Sequence, residues 1–338
     1  MKLLVTGGCG FIGSNFIKYI LKKYPDYSVV NLDLLTYAGN LENLSEVETI
    51  PNYKFVRGDI ADSKLVEQLM QEGVDAVVNF AAESHVDRSL YDPGSFVRTN
   101  IVGVQVLLDA VLKLKVGMFL QISTDEVYGS VEDNVKFGES SPLNPSSPYS
   151  ASKASADLLA LSYFKTFKAP VVITRGTNNF GPYQFPEKLT PLFITNALED
   201  KQLPLYGDGK HIRDWLFVED HCSALDAALH RGNKGEIYNI SSHNEKTNKE
   251  ITCLILELLK KPESLIKHVP DRPAHDRHYA LDSGKIEKEL GWRPKYTFAD
   301  AMRATADWYG ANRSWWENVK SGEYVRYYQK HYSSLSRP

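Results

Sequence analysis

The chain has 338 residues, 39 basic against 42 acidic side chains, a formal net charge of −3 and 43% hydrophobic residues. That balance excludes collagen-like, disordered and coiled-coil chains, and it offers no charge excess for a nucleic acid or a membrane surface. Three distant cysteines, Cys9, Cys222 and Cys253, spell neither a disulfide framework nor a metal site. No apolar run is expected to reach the roughly 20 residues of a membrane span, no signal-peptide pattern opens the chain, and a reducing cytoplasm is the expected location.

In chain order, residues 2–5 read as a buried strand. Gly7, Gly10 and Gly13 follow with the spacing G-x-x-G-x-x-G, and Ile12, Phe16, Ile17, Ile20 and Leu21 then recur at helical spacing. Glycine permits the tight turn and lets a pyrophosphate approach the backbone, while the helix N-terminus offers free N–H groups. Phe11 and Ile12 lie within that turn. Residues 28–32 form the second strand. Asp33 ends it, 20 residues beyond Gly13, where a carboxylate accepts both adenosine-ribose hydroxyls and repels a 2′-phosphate. NAD is therefore favoured over NADP. A third strand at 53–56 leads to Asp59-Ile60, placed to face the adenine, and a fourth at 76–80 ends in Phe80-Ala81-Ala82, small enough for a cofactor to lie close.

Asp92-Pro93 opens a long helix to about residue 114, and residues 118–122 form a fifth strand ending at Ser123-Thr124. Ser147-Pro148 opens a second long helix to about residue 167. It carries Tyr149 and Lys153 at i and i+4, on one face. A nearby ammonium is expected to lower the Tyr149 pKa, so that with Thr124 a secondary alcohol can be held, deprotonated and oxidised. Residues 171–174 are a sixth strand. Continuous apolar strands alternating with amphipathic helices indicate a Rossmann-type, doubly wound parallel sheet. After Gly176, Pro and Gly become frequent and helices are expected only near 191–199, 219–230, 249–259 and 300–311. Residues 1–176 thus read as an NAD-binding domain and 177–338 as a smaller mixed α/β substrate lobe, with later strands near 214–241 open to rejoining the first sheet.

These motifs, with Leu35-Thr36-Tyr37-Ala38-Gly39-Asn40-Leu41, Ala81-Ala82-Glu83-Ser84-His85-Val86-Asp87-Arg88-Ser89, Ser123-Thr124-Asp125-Glu126-Val127-Tyr128-Gly129, Asn178-Asn179-Phe180-Gly181-Pro182-Tyr183, Phe185-Pro186-Glu187-Lys188-Leu189 and Arg213-Asp214-Trp215, resemble the nucleotide-sugar branch of the extended short-chain dehydrogenase/reductase family. Within it they are most similar to the dTDP-glucose 4,6-dehydratases. The resemblance implies bound NAD, a dTDP-glucose substrate and loss of water across C5 and C6 after oxidation at C4. It gives Glu126 the C5 proton and Asp125 the protonation of the departing C6 hydroxyl. It adds Leu34, Leu35, Thr36, Ser84, Thr99 and Asn179 to the cofactor contacts. To the substrate it assigns Ser84, Asn178, Lys188, Leu189, Pro204, Leu205, Tyr206, Arg213 and Asn248, and beyond them Asp271, Arg272, Pro273, Ala274, His275 and Tyr332. No metal is implied.

Phe180, Ala274 and His278 depart from the family pattern, where Tyr, Gly and Arg are usual. Trp215 and Trp292 read as packing residues. The helices near 93–114 and 149–167 carry apolar residues on more than one stripe, and a homodimer seam is expected there. A UDP-hexose 4-epimerase, a UDP-glucose 4,6-dehydratase and a catalytically silent dinucleotide sensor on the same fold remain as alternatives. Asp125-Glu126 speaks against the epimerase, and the intact Thr124, Tyr149 and Lys153 speak against the sensor.

Overall fold

In the computed structural model, which describes residues 1–131, 135–271 and 276–321, the six apolar runs become β1 (Lys2–Thr6), β2 (Ser28–Asp33), β3 (Tyr53–Arg57), β4 (Ala76–Asn79), β5 (Met118–Thr124) and β6 (Val171–Gly176). β7 (Asn178–Phe180), β8 (Leu203–Tyr206) and β9 (Ile212–Phe217) follow, then β10 (Ile237–Ile240), β11 (Glu245–Thr247) and β12 (Ile266–Val269). One seven-stranded parallel sheet has the order β10-β6-β5-β4-β1-β2-β3. The order reverses between β1 and β4, and in such sheets the crevice at the strands' carboxyl ends beside that switch point holds the ligand. Of the strands left open to rejoining, β10 does so. β9 instead pairs with β7 and β11 in a three-stranded sheet, and β8 with β12 in a two-stranded one.

Side chains alternate along each strand, so Leu3 and Val5 enter one core layer while Leu4 enters the other. The first layer takes Phe16, Ile17 and Ile20 of the helix Phe11–Lys23 and Leu225 of Val218–Arg231. The second takes Val66, Leu107, Leu108, Ala156 and Ala160, from Ser63–Gln71, Pro93–Leu114 and Pro148–Phe167. The expectation that no apolar run is long enough for a membrane is corrected here. Pro93–Leu114 is one 22-residue helix whose most apolar window has a mean hydropathy of 1.4. Its apolar residues Val104, Leu107, Leu108 and Val111 are spent on the sheet. Its middle, Arg98–Gly103, is wound as a π segment, a local widening that is frequent beside functional sites.

Pro148–Phe167 starts where it does because Ser147 and Ser150 form a reciprocal cap and Pro148, at the first turn, has no N–H to leave unpaired. Two short helices that the sequence did not offer, Gly284–Leu290 and Arg313–Val319, join the four expected later ones, which run Leu189–Leu198, Val218–Arg231, Asn248–Leu258 and Phe298–Ala311. Each starts one or two residues ahead of its expected position, because Thr247 and Thr297 cap the last two and the apolar run begins later than the backbone turn. Trp215 and Trp292 are buried, with their indole N–H groups donating to the Lys246 carbonyl and the Ser223 hydroxyl. Phe180 lies among Trp215, Phe217 and Phe298, an all-apolar site in which a tyrosine hydroxyl is not needed. His278 donates from Nε2 to the Glu245 carboxylate at 3.0 Å.

Candidate active site

A single cleft runs along the carboxyl edge of the large sheet, from the glycine turn to the ends of β5 and β6. At its near end Gly7 has φ +69°, and a Cβ there would stand 2.5 Å from the Ala81 nitrogen; a Cβ on Gly13 would strike the Gly7 carbonyl. Gly10 caps the helix without a side-chain hydrogen bond, and no acid stands in the first turn. The Gly7, Cys9 and Gly10 N–H groups are spent on the Leu32 carbonyl, Asp33 and the Gly7 carbonyl, which leaves the first turn of the helix beyond them for a pyrophosphate. Asp33 is buried, and its carboxylate oxygens accept from the Cys9 and Leu35 backbone N–H groups, each at 2.8 Å. Each oxygen keeps a second lone pair for a ribose hydroxyl. These features fit a dinucleotide. Phe11, Ile12, Leu34, Thr36, Asp59, Ile60, Phe80, Ala81, Ala82, Ser84 and Thr99 all line the same cleft. Leu35 does not. It turns through φ +56° and serves Asp33 through its backbone.

At the far end β5 stops at Thr124, whose hydroxyl accepts from the Glu126 N–H at 3.2 Å and donates to Asp125 at 3.1 Å. This cap turns the chain into a short 3-10 helix, Asp125–Tyr128, and sets the two acids side by side on the cleft wall. Burial first, and the neighbouring Glu126 second, push the Asp125 carboxyl up to about 8. It therefore holds its proton at neutral pH.

Tyr149 and Lys153 reach the same wall from Pro148–Phe167. Lys153 is buried, donates to the Ile122 carbonyl at 2.7 Å and is lowered by that burial to about 8. The expected lowering of Tyr149 by Lys153 is corrected. Burial and the Glu126 charge push the phenol well up, and the Thr124 hydroxyl is what works the other way. A phenolate there needs positive charge beside the ring.

Asn178, Asn179 and Lys188 complete the expected wall, with the Lys188 ammonium on the Ser84 carbonyl at 3.1 Å. Leu189, Pro204, Leu205, Tyr206, Arg213 and Asn248 stand outside this cleft. Pro204 and Leu205 are buried in β8, and Leu189 packs on the core. Arg213 caps the Asp276 carbonyl at 2.8 Å, lies 4.2 Å from the Tyr279 ring centre and acts electrostatically on Asp125. Asn248 opens the helix Asn248–Leu258. Asp271 meets His211 at 3.1 Å. Arg272, Pro273, Ala274, His275 and Tyr332 lie outside the described residues.

Three groups join the site that the sequence did not mark. Glu187 lines the cleft, 3.5 Å from Arg88 and 3.7 Å from His85, with burial raising it to about 7. Asn100, on the π segment, bridges the Glu83 backbone and the Ser152 hydroxyl. His221 lies against the end of β6. The motif around Glu187 was visible, but nothing in it separates a lining carboxylate from a surface one. Among the described residues no group of His, Cys, Asp and Glu is arranged for a metal.

The family model of GDP-mannose 4,6 dehydratase matches residues 4–305. A dTDP-glucose 4,6-dehydratase of an Actinoplanes species is 52% identical over 321 residues, spanning 94% of this chain and 100% of the relative. The crystal structure of DesIV, a dTDP-glucose 4,6-dehydratase from Streptomyces venezuelae solved with NAD bound, superposes with a TM-score of 0.92 at 51% identity, covering 95% of this chain and 100% of its own. The NAD complex of the dTDP-glucose 4,6-dehydratase from Bacillus anthracis gives 0.90 at 50% identity, with 95% and 100% covered.

Proposed function

Because the chain belongs to the GDP-mannose 4,6 dehydratase family, we propose that it converts dTDP-glucose to dTDP-4-keto-6-deoxyglucose and water. It is an NAD-dependent hydro-lyase. NAD, when bound, supplies the hydride carrier, oxidising C4 and later reducing C6, so that no net redox change remains. Thr124 holds the C4 hydroxyl and Tyr149 takes its proton. The new ketone acidifies the C5 hydrogen, Glu126 removes it, and Asp125 protonates the C6 hydroxyl as it leaves. Lys153 anchors the wall at the Ile122 carbonyl and lends positive charge.

One observation carries the reading: Asp125, buried and held by the Thr124 hydroxyl, stands directly beside Glu126 at the wall that also bears Tyr149. A 4-epimerase needs only oxidation and reduction at C4 and has no use for a buried proton donor in that place. Relatives about half identical across nearly the whole chain support the same activity. We read residues 1–176 together with the helix Val218–Arg231 and β10 as the cofactor-binding part and the rest of 177–338 as the substrate lobe. Exposed Leu90, Tyr91, Val97, Val102 and Leu158, on neighbouring helices, support a homodimer seam.

Substrate deuterated at C4 tests the reaction. The expected product has lost one water and carries the deuterium at C6, by mass spectrometry and NMR. An unchanged mass with C4 inverted would overturn it. Glu126→Gln is expected to reduce bound NAD, visible at 340 nm, without eliminating water.

A further inference from the structure

His221 is 1% exposed, yet it lines the cleft from the helix Val218–Arg231. Its proton can be placed by elimination. The Asn179 side-chain amide donates to the Thr177 carbonyl at 2.9 Å, and a carbonyl only accepts, so the amide oxygen faces His221. That oxygen lies 2.8 Å from Nδ1, which must therefore carry the hydrogen. Nε2 is left as a bare acceptor. It has no partner among the described residues, and a Cβ added to Gly176 would stand 3.1 Å from it. Asn179 is further fixed by Gln184, whose amide donates to its backbone carbonyl at 2.8 Å.

We propose that His221 and Asn179 form the seat of the nicotinamide carboxamide, with His221 Nε2 accepting one of its N–H groups. The inference rests on NAD being the cofactor. Its hydride-accepting end must lie at the wall shared by Thr124, Tyr149 and Lys153, and Gly176, Thr177 and Asn179 continue that wall. The carboxamide is the part of that end that carries N–H donors, and an acceptor buried without a partner is costly until one arrives. Burial lowers the ring to about 3, so Nε2 keeps its lone pair across any working pH. His221 is a positioning residue. It fixes which way the nicotinamide ring is turned, and hence which face meets the sugar.

The test compares NAD with 3-acetylpyridine adenine dinucleotide, in which a methyl replaces the amide nitrogen, and with ADP-ribose, which lacks the ring. Binding to the full chain freed of nucleotide is measured by calorimetry. The wild type is expected to prefer NAD over the acetyl analogue by about tenfold, the size of one buried hydrogen bond. His221→Leu is expected to lose that preference, with ADP-ribose binding unchanged; His221→Gln, which can still accept, is expected to restore part of it. Equal binding of NAD and the analogue by the wild type would overturn the proposal without any variant. So would a His221→Leu protein that keeps the preference. Failure of NAD and ADP-ribose alike to bind would instead overturn the cofactor reading beneath it.

Discussion

Asp125 and Glu126 are neighbours with the same chemistry and opposite tasks in the proposed reaction, and burial separates them. Asp125 is 3% exposed and its carboxyl is raised to about 8 from an ordinary 3.8. As a proton donor it must be protonated in the free enzyme, so kcat/KM is expected to fall as pH rises through about 8, measured across pH 6 to 10. Asp125→Asn is expected to lower kcat by a factor of about 10²–10⁴, the span of general acid catalysis, while NAD is still reduced. The same shift makes a stability prediction. Between about 4 and 8 the folded chain binds a proton at Asp125 that the unfolded chain has lost, so this residue's contribution to stability falls as pH rises through that window. Asp125→Asn is therefore expected to melt higher than wild type at pH 8 and to approach it at pH 4. These acids were legible in the sequence because they are contiguous and sit at a strand end. His221 and Glu187 were not, because each reaches the cleft only through helix and loop packing that a linear motif does not encode.

At the level of elements, the site depends on two helix starts. Gly13 has no room for a side chain against the Gly7 carbonyl, so Gly13→Ala is expected to purify without NAD, by the absorbance of nucleotide released on denaturation, while its circular dichroism is unchanged. Ser147 caps the turn that holds Tyr149. Ser147→Ala is expected to cost about 1 kcal/mol, seen as a lower midpoint in denaturant, with kcat reduced more than KM. Both starts could be read from glycine spacing and from Ser-Pro. The π segment at Arg98–Gly103 could not, since one widened turn barely disturbs an apolar stripe, yet it is what carries Asn100 to the Glu83 backbone.

For the whole molecule, alternation of strand and helix made the large sheet legible, and it left the second lobe vague because short strands punctuated by Pro and Gly have no period of their own. The exposed seam yields a prediction at this scale. Leu158 is 57% and Val97 50% exposed; the wild type is expected to sediment as a dimer and a paired Val97→Glu, Leu158→Glu variant as a monomer.

β10 has a further meaning for how the polypeptide could be divided. The chain leaves the sheet after Gly176, builds much of the other lobe, and returns at Ile237–Ile240 to cover the outer edge of β6. The lobes are thus stitched together by repeated crossings and do not hang from one joint. A fragment ending at Gly176 would bare a buried strand's row of N–H and C=O groups to any neighbouring chain, so it is expected to aggregate. Exchanging substrate lobes between relatives would have to carry β10 along with the sheet it completes, or leave that sheet open.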